Sequence, residues 1–361
     1  MVASLTGAEH ELDFVTIRDE VSERIDDYLN RQAATATLPQ MTTIIDLVRD
    51  FVGAGGKRLR PLLCYCGWAA AGGGTDRVTV SRVAASLELF HAFTLIHDDI
   101  MDASDQRRGR PTVHRAMTTL RESERGHADA RTFGTNGGIL VGDLALVWSD
   151  DLLDDSGLSP AQFTALRPLI STMRTEVMLG QYLDLLSTGA LEEDLGAAMH
   201  IVRYKTAKYT VERPLQIGAA LAGARPELMA ACSAYAIPVG EAFQLRDDLL
   251  GVFGDPASTG KSNREDLREG KSTALIAIAL HRATAAQRAT LRQLVGNPDL
   301  DEAGADTVRE ILLASGSCAQ VESMIWERRE RSMAVLADGP FAPPAVRALR
   351  SLALAATERG L

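Results

Sequence analysis

Val80-Ser81-Arg82-Val83-Ala84-Ala85-Ser86-Leu87-Glu88-Leu89-Phe90-His91-Ala92-Phe93-Thr94-Leu95-Ile96-His97-Asp98-Asp99-Ile100-Met101-Asp102 is the stretch on which the fold turns. Within it Val83, Leu87, Phe90 and Phe93 recur three or four residues apart, the spacing of one helix face rather than the alternation of a strand. Similar apolar stripes run through 162–186, 227–253, 272–296 and 306–337. Breaks fall at Gly72–Gly74, Gly109–Pro111, Gly157–Pro160, Gly254–Gly260 and Gly339–Pro344. A chain of 361 residues has room for about two domains. No linker, repeat or low-complexity segment marks a boundary, however, so the pattern predicts one all-α domain over 1–361, a single large bundle of roughly ten or more helices.

Hydrophobic residues make up 46% of the chain, enough to bury a large core and to exclude disorder for most of it. The formal net charge of −10 argues against nucleic acid, which demands a dense basic surface. No run of ~18 apolar residues is present, so no membrane span is expected. Glu9, Glu11 and Asp13 occupy the region where a secretory signal would be basic and then apolar. Cys64, Cys66, Cys232 and Cys318 are too scattered for a disulfide scaffold and read as reduced, buried residues. A cytoplasmic protein is the expectation.

Three familiar signatures fail on inspection. Gly260-Lys261-Ser262 follows Gly254 with one residue too many for a phosphate-binding P-loop and has no strand before it. Gly53-Ala54-Gly55-Gly56 likewise lacks the strand and the final glycine of a dinucleotide fingerprint. Cys64-Tyr65-Cys66 has no second ligand pair for zinc.

The aspartates carry more. Asp98 and Asp102 stand four apart on a helix and therefore share a face, while Asp99 points about 100° away. Side-by-side carboxylates repel unless a cation sits between them, and a hard divalent ion completed by phosphate oxygens meets that need. A solvated acidic helix end is the plainer reading, but acids at a helix C-terminus oppose the dipole. Gln244-Leu245-Arg246-Asp247-Asp248-Leu249-Leu250-Gly251 repeats the theme on a second apolar helix, with Gln244 on nearly the same face as Asp247. Two such helices facing across a bundle can hold metal between them. Here the fourth position is Gly251; Asp255 and Asp266 are both available to compensate.

Cations accompany each acidic group. Arg107, Arg108, Arg110 and Arg115 follow the first, Lys261 and Lys271 follow the second, and Lys57, Arg58 and Arg60 cluster at a turn entering a helix. One basic cluster would read as surface. Three, with two aspartate pairs, indicate a metal-bridged diphosphate and a second anionic group, since arginine forks and lysine point charges both suit phosphate oxygens.

With these residues assembled, the chain resembles the trans-isoprenyl diphosphate synthase (polyprenyl synthetase) family. The resemblance is carried by Gly55–Pro61, by Asp98–Asp102 through Arg107-Arg108-Gly109 and His114, and by Gln244–Asp248 through Gly254-Asp255-Pro256. Gly142-Asp143-Leu144, Gly180-Gln181-Tyr182-Leu183-Asp184 and Lys205-Thr206 add to it, so that it covers about residues 50 to 280 in order.

The resemblance implies an isoprenoid-synthase bundle around a central apolar cavity, joining isopentenyl diphosphate to an allylic diphosphate, with geranylgeranyl diphosphate favoured over farnesyl diphosphate as product. It implies magnesium, up to three ions, on Asp98, Asp102 and Asp247, and a homodimer. Arg107, Lys205, Lys261 and Lys271 would hold the allylic diphosphate, and Lys57, Arg60, His91 and Arg108 the isopentenyl diphosphate. His91, seven residues before Asp98, lies on the same stripe, although a histidine packed between helices is the plainer account of it alone. Thr206 and Gln244 would turn oxygen dipoles toward a developing carbocation. Lys205, Asp98, Asp102 and Asp247 are the implied catalytic set. Phe93 and Thr94, about one turn below Asp98, would set chain length, Phe93 as the floor of the pocket. Many members carry aspartate where this chain has Gly251, a departure that bears on the third ion.

Two other functions share part of this equipment. A class I terpene cyclase also ionises allylic diphosphates but needs no isopentenyl site, and it would consume geranylgeranyl diphosphate supplied alone. A non-catalytic partner subunit of the same fold would be expected to have lost aspartates or basic residues, and both sets stand here.

Overall fold

The Asp76 carboxylate accepts a hydrogen bond from the Thr79 amide at 3.1 Å and so starts α4 (Arg77–Met101), the helix that contains the deciding stretch. Val83, Leu87, Phe90 and Phe93 are all buried, but so are Ala84, Ala85, Leu89 and Ala92 on other faces. A helix apolar nearly all round needs neighbours on several sides. Its neighbours are α1 (Phe14–Thr35), α3 (Leu59–Ala70) and α6 (Ala130–Asp154).

The computed structural model describes residues 11–125, 128–255 and 262–358. The remaining elements near the site are α2 (Pro39–Gly53), α5 (Val113–Arg125), α7 (Pro160–Ser187), α8 (Leu195–Ile201), α9 (Arg213–Leu221) and α10 (Pro226–Phe253). Helices α11 (Glu265–Glu269), α12 (Ala274–Arg282), α13 (Ala285–Leu294), α14 (Glu302–Ala314), α15 (Ser317–Asp338) and α16 (Pro343–Thr357) complete the chain. The fold is all-α, as expected. Among the described residues the one sheet is a two-stranded hairpin, β1 (Gln106–Arg107) with β2 (Arg110–Pro111), directly after the first aspartate group. No described helix is long and apolar enough to cross a membrane.

Two of the apolar stripes are each shared between two helices. The run 272–296 breaks because Thr284 and Gln287 form a capping box that starts α13. The run 306–337 breaks at Gly316, whose φ of +72° ends α14 and turns the chain into α15. The apolar interior forms two clusters, and α10 contributes to both, Leu228 through Val239 to one and Ala242 through Val252 to the other. The second aspartate group lies on the half of α10 in the second cluster.

Between α8 and α9 the chain runs as a π-helix, Val202–Glu212, a geometry concentrated at functional sites. Two glycines seat it. A Cβ on Gly180 of α7 would lie 2.3 Å from the Lys205 nitrogen, and one on Gly240 of α10 would lie 2.5 Å from the Ala207 Cα. Neither position admits a larger residue without moving the segment that carries Lys205 and Thr206.

Candidate active site

Asp98 occupies the last turn of α4, and Asp102 is its C-terminal cap, with its backbone N–H donating to the Asp98 carbonyl. Lys205 Nζ, from the π-helix, donates to Asp98 Oδ1 at 3.2 Å and to Asp184 Oδ2 of α7 at 2.6 Å. Arg107, on β1, binds Asp99 at 2.7 Å and reaches Asp98 at 3.4 Å. Lys271 stands 3.7 Å from Asp102, 3.4 Å from Asp266 and 2.7 Å from Glu269. Asp99 is therefore turned away from the shared face of Asp98 and Asp102, toward Arg107.

Electrostatics separate the two motif carboxylates. Burial acts to raise the Asp98 pKa, but Lys205, Arg107 and Lys271 outweigh it, and the group sits below the usual carboxylate range. Burial, reinforced by the Asp98 charge, pushes Asp102 up to about 6. For Lys205, burial is outweighed by Asp98 and Asp184, and the ammonium is held above its ordinary value. These are crowded oxygen donors with room for more positive charge, which fits a hard cation. Among the described residues no three His, Cys, Asp or Glu side chains form a ready metal cage. Magnesium commonly takes one or two carboxylates and completes its shell with water and substrate phosphates.

The second motif joins the first through the π-helix and through Lys271. Thr206, adjacent to Lys205, donates to Gln244 Oε1 at 2.7 Å, and Gln244 Nε2 donates to Asp248 Oδ1 at 2.8 Å. Consecutive residues thus touch opposite motifs. Burial raises Asp248 to about 7, with Asp266 and Asp247 adding to the rise against the Gln244 hydrogen bond. Arg246 points the other way and anchors α10 to Glu322 of α15 at 2.6 Å and to the Thr357 carbonyl of α16 at 3.1 Å.

A second cation group lies around Tyr209. The Arg60 guanidinium stacks 4.1 Å from the Tyr209 ring centroid and donates to Thr210 Oγ1 at 2.6 Å. The Tyr209 hydroxyl meets Thr94 Oγ1 at 3.0 Å and His91 Nδ1 at 3.2 Å. Arg108 lies against Gly56 and donates to the Gly55 carbonyl, and Lys57 stands 5.9 Å from the Phe243 ring centroid. Arg58 and Arg108 both hold positive φ, 50° and 54°, a conformation that non-glycine residues adopt at a cost. Arg58 turns inward to pair with buried Glu88 at 2.6 Å, which leaves Lys57 and Arg60 to flank it.

Of the residues singled out by sequence, Asp98, Asp102, Lys205, Arg107 and Lys271 come together at one end of α4; Thr206 joins Gln244 by a hydrogen bond, and Asp247 lies on the same helix as Gln244. Lys57, Arg60, His91 and Arg108 gather beside Tyr209 and the Gly55–Gly56 turn. Phe93 is buried one turn below Asp98, its ring 5.4 Å from Phe90 and 4.8 Å from His97. Lys261 lies outside the described residues. Asp184 and Tyr209 were missed as participants. Asp184 belonged to a stretch already noted, and its partner was the missing information; Tyr209 meets Thr94 and His91 across more than a hundred residues, which no local pattern encodes.

His91 yields a pH prediction. Burial, with Arg60, Arg108, Arg107 and Arg58 around it, holds its pKa well below the ordinary value, so the native imidazole stays neutral while the unfolded one titrates near 6.5. A depressed folded pKa gives stability that is present above ~6.5 and lost as pH falls toward the folded value, at most about 1.4 kcal/mol per pH unit. His91→Asn removes that component, so the difference in stability between native and variant shrinks below pH 6.5. Denaturant unfolding of both proteins between pH 5 and 7.5 checks it, and parallel profiles refute it.

The polyprenyl synthetase family model matches residues 41–312. The chain is 34% identical over 292 residues to geranylfarnesyl diphosphate synthase of Aeropyrum pernix, covering 80% of this chain and 85% of that one. It is 31% identical over 265 residues to geranylgeranyl diphosphate synthase of Saccharolobus solfataricus, covering 72% and 73%. Among solved structures, geranylgeranyl pyrophosphate synthase of Corynebacterium glutamicum, complexed with isoprenyl diphosphate and magnesium, superposes with a TM-score of 0.93 at 40% identity, covering 97% of this chain and 100% of that one. With the matching family model and these relatives together, the chain belongs to the polyprenyl synthetase family and is a prenyltransferase of the isoprenyl diphosphate synthase kind.

Proposed function

We propose that the chain joins isopentenyl diphosphate head-to-tail to an allylic diphosphate and makes geranylgeranyl diphosphate in preference to farnesyl diphosphate. The observation that carries this reading is the presence of two separate cation groups. Lys205 and Lys271 stand among the aspartates. Arg60 and Arg108 stand by Tyr209 and Gly56. A cyclase that ionises a single diphosphate has use for the first group alone, and a non-catalytic subunit has use for neither.

On this reading Asp98, Asp102 and Asp247 hold up to three magnesium ions, which when bound neutralise charge on the allylic diphosphate as it leaves. Lys205, Lys271 and Arg107 bind the same diphosphate oxygens, and Lys261 is assigned there by resemblance. Lys57, Arg60, Arg108 and His91 hold isopentenyl diphosphate with its double bond toward the allylic C1. The C1–O bond breaks, the alkene attacks the cation at C1, and a proton leaves the adduct to the released diphosphate. Thr206 and Gln244 supply fixed dipoles near the cation, and the apolar surround of α4 excludes water, which would otherwise capture it. Supplying both substrates with magnesium and separating the products tests the reading. Consumption of geranylgeranyl diphosphate alone, with no elongation, would favour the cyclase.

Product length rests on Phe93. Its ring stands below Asp98, while the neighbouring Thr94 hydroxyl is committed to Tyr209. Phe93→Ala opens the floor and lengthens the product by at least one isoprene unit, at a stability cost of about 3 kcal/mol. An unchanged product profile on chromatography removes Phe93 from that role.

The partner proposed is a second copy of the chain. Leu140 and Val147 on α6 with Met178, Tyr182 and Leu186 on α7 are 62%, 52%, 48%, 58% and 60% exposed. Arg174 of α7 and Asp150 of α6, 2.5 Å apart, tie the two helices together. Such a paired apolar face suits the self-complementary contact of a symmetric dimer. A cytoplasmic location, as expected from sequence, belongs to the same proposal.

A further inference from the structure

We propose that Glu88 is a positioning residue for isopentenyl diphosphate, holding through its buried ion pair with Arg58 the turn that presents Lys57 and Arg60; the inference rests on the isopentenyl site proposed above. Gly55, Gly56 and Arg58 all hold positive φ, at 89°, 136° and 50°. The glycines adopt such angles freely, whereas Arg58 does so against its own Cβ and needs an outside hold. Its guanidinium supplies one, donating to Glu88 Oε1 of α4 at 2.6 Å and to the Val52 carbonyl in the last turn of α2 at 2.8 Å. Both side chains of the pair are buried, so water screens the contact little. Behind the turn lies a cavity of about 370 Å³ bordered by Val52, Gly55, Gly56 and Arg58, so packing gives little support from that side.

Arg58 is the residue from which α3 starts, so its backbone sets where Lys57 before it and Arg60 after it stand. Charge supports the same role. Burial, Arg107, Arg58 and Arg60 all act to discharge Arg108, and Glu88 acts against them. The second Glu88 oxygen, Oε2, is buried and takes no hydrogen bond among the described residues. Glu88 therefore serves the cation group through its charge and through the one bond to Arg58. It also stands ten residues before Asp98 on α4, about 15 Å along the axis. One helix thus fixes the separation between the isopentenyl cations and the aspartates of the allylic site.

Competing accounts of Glu88 predict other results. An acid that contributed only its charge beside an anion site would, once neutralised, leave isopentenyl diphosphate bound more tightly. One that only stabilised the fold would affect both substrates alike. Glu88→Gln keeps the shape and removes the charge. It should raise the KM for isopentenyl diphosphate by about 10-fold or more, as small misplacements of positioning groups do, and leave the allylic KM within about twofold of native. The pair Arg58→Met/Glu88→Met replaces the buried ions with apolar side chains of similar volume, an exchange that is often neutral for stability. It should melt near the native temperature and still show the raised isopentenyl KM, because nothing then holds position 58 left-handed. This pair carries the test even where Glu88→Gln does not fold. A lowered or unchanged isopentenyl KM in Glu88→Gln overturns the inference. So does an equal rise in both KM values, or a methionine pair that regains native KM along with stability. Arg60→Ala tests the site itself. If it leaves the isopentenyl KM unchanged, that site lies elsewhere and both readings fall; if it raises the KM while Glu88→Gln does not, the positioning role alone falls.

Discussion

Asp98→Ala lowers the condensation rate by about 10²–10³-fold, the loss typical of removing one preorganised electrostatic contact to a developing charge. The protein should remain folded. In the native chain Asp98 shares Lys205 with Asp184 and shares Arg107 with Asp99, and the shorter contacts, 2.6 and 2.7 Å, are the ones to Asp184 and Asp99. Both cations therefore keep their better partner when Asp98 is removed, and no buried charge is stranded. Alanine also favours the helix, and the Asp102 cap remains. The Asp102 carboxyl, pushed up in part by its neighbour, relaxes toward its ordinary value. The expected result is a much smaller kcat, a raised magnesium requirement and a near-native melting curve. Initial rates against magnesium concentration, with calorimetry on the same samples, check it. An Asp98→Ala/Asp102→Ala protein that still elongated its substrate would remove the aspartates from the reaction.

How much of this site is legible in sequence depends on the range over which each signal acts. The face shared by Asp98 and Asp102 follows from helix geometry within one turn, and the stripe from Val83 to Phe93 follows from the same period. The reach of Lys205 to Asp184 and of Tyr209 to Thr94 spans 21 and 115 residues, and no local period encodes it. The π-helix adds a second obstacle, since the 3.6-residue period does not hold across 202–212. The breaks at Thr284 and Gly316 are of another kind. Their cap and turn chemistry was present in the sequence, but apolar spacing continued across it and masked the boundary. Asp266 stood between these cases: it was visible as an acid, and only the fold brings its carboxylate against Gly251 of α10.

Lys205→Met should damage the protein in a way that Asp98→Ala does not. The Lys205 side chain is 25% exposed, and its two carboxylate partners, Asp98 and Asp184, are 18% and 13% exposed. Methionine retains the packing of the stem, but both carboxylates lose the ammonium between them. Removing one partner from a buried ionic contact costs about 3–5 kcal/mol, and the partial exposure here places the expectation at the low end, about 3 kcal/mol. Activity falls as well, by about 10²–10³-fold, because a fixed charge on the departing diphosphate is gone. The two losses separate by adding Asp184→Asn. Neutralising Asp184 relieves the stranded charge, so the double variant should regain most of the stability while the rate stays low. The coupling shows as non-additive unfolding free energies. Magnesium discriminates further: a divalent ion can stand in for the missing ammonium beside Asp98 and Asp184, so it should raise the melting temperature of Lys205→Met more than that of the native protein. Equal shifts in the two proteins, or additive stabilities, would mean that Lys205 does not bridge these carboxylates in solution, and its place in the diphosphate site would lose its structural basis.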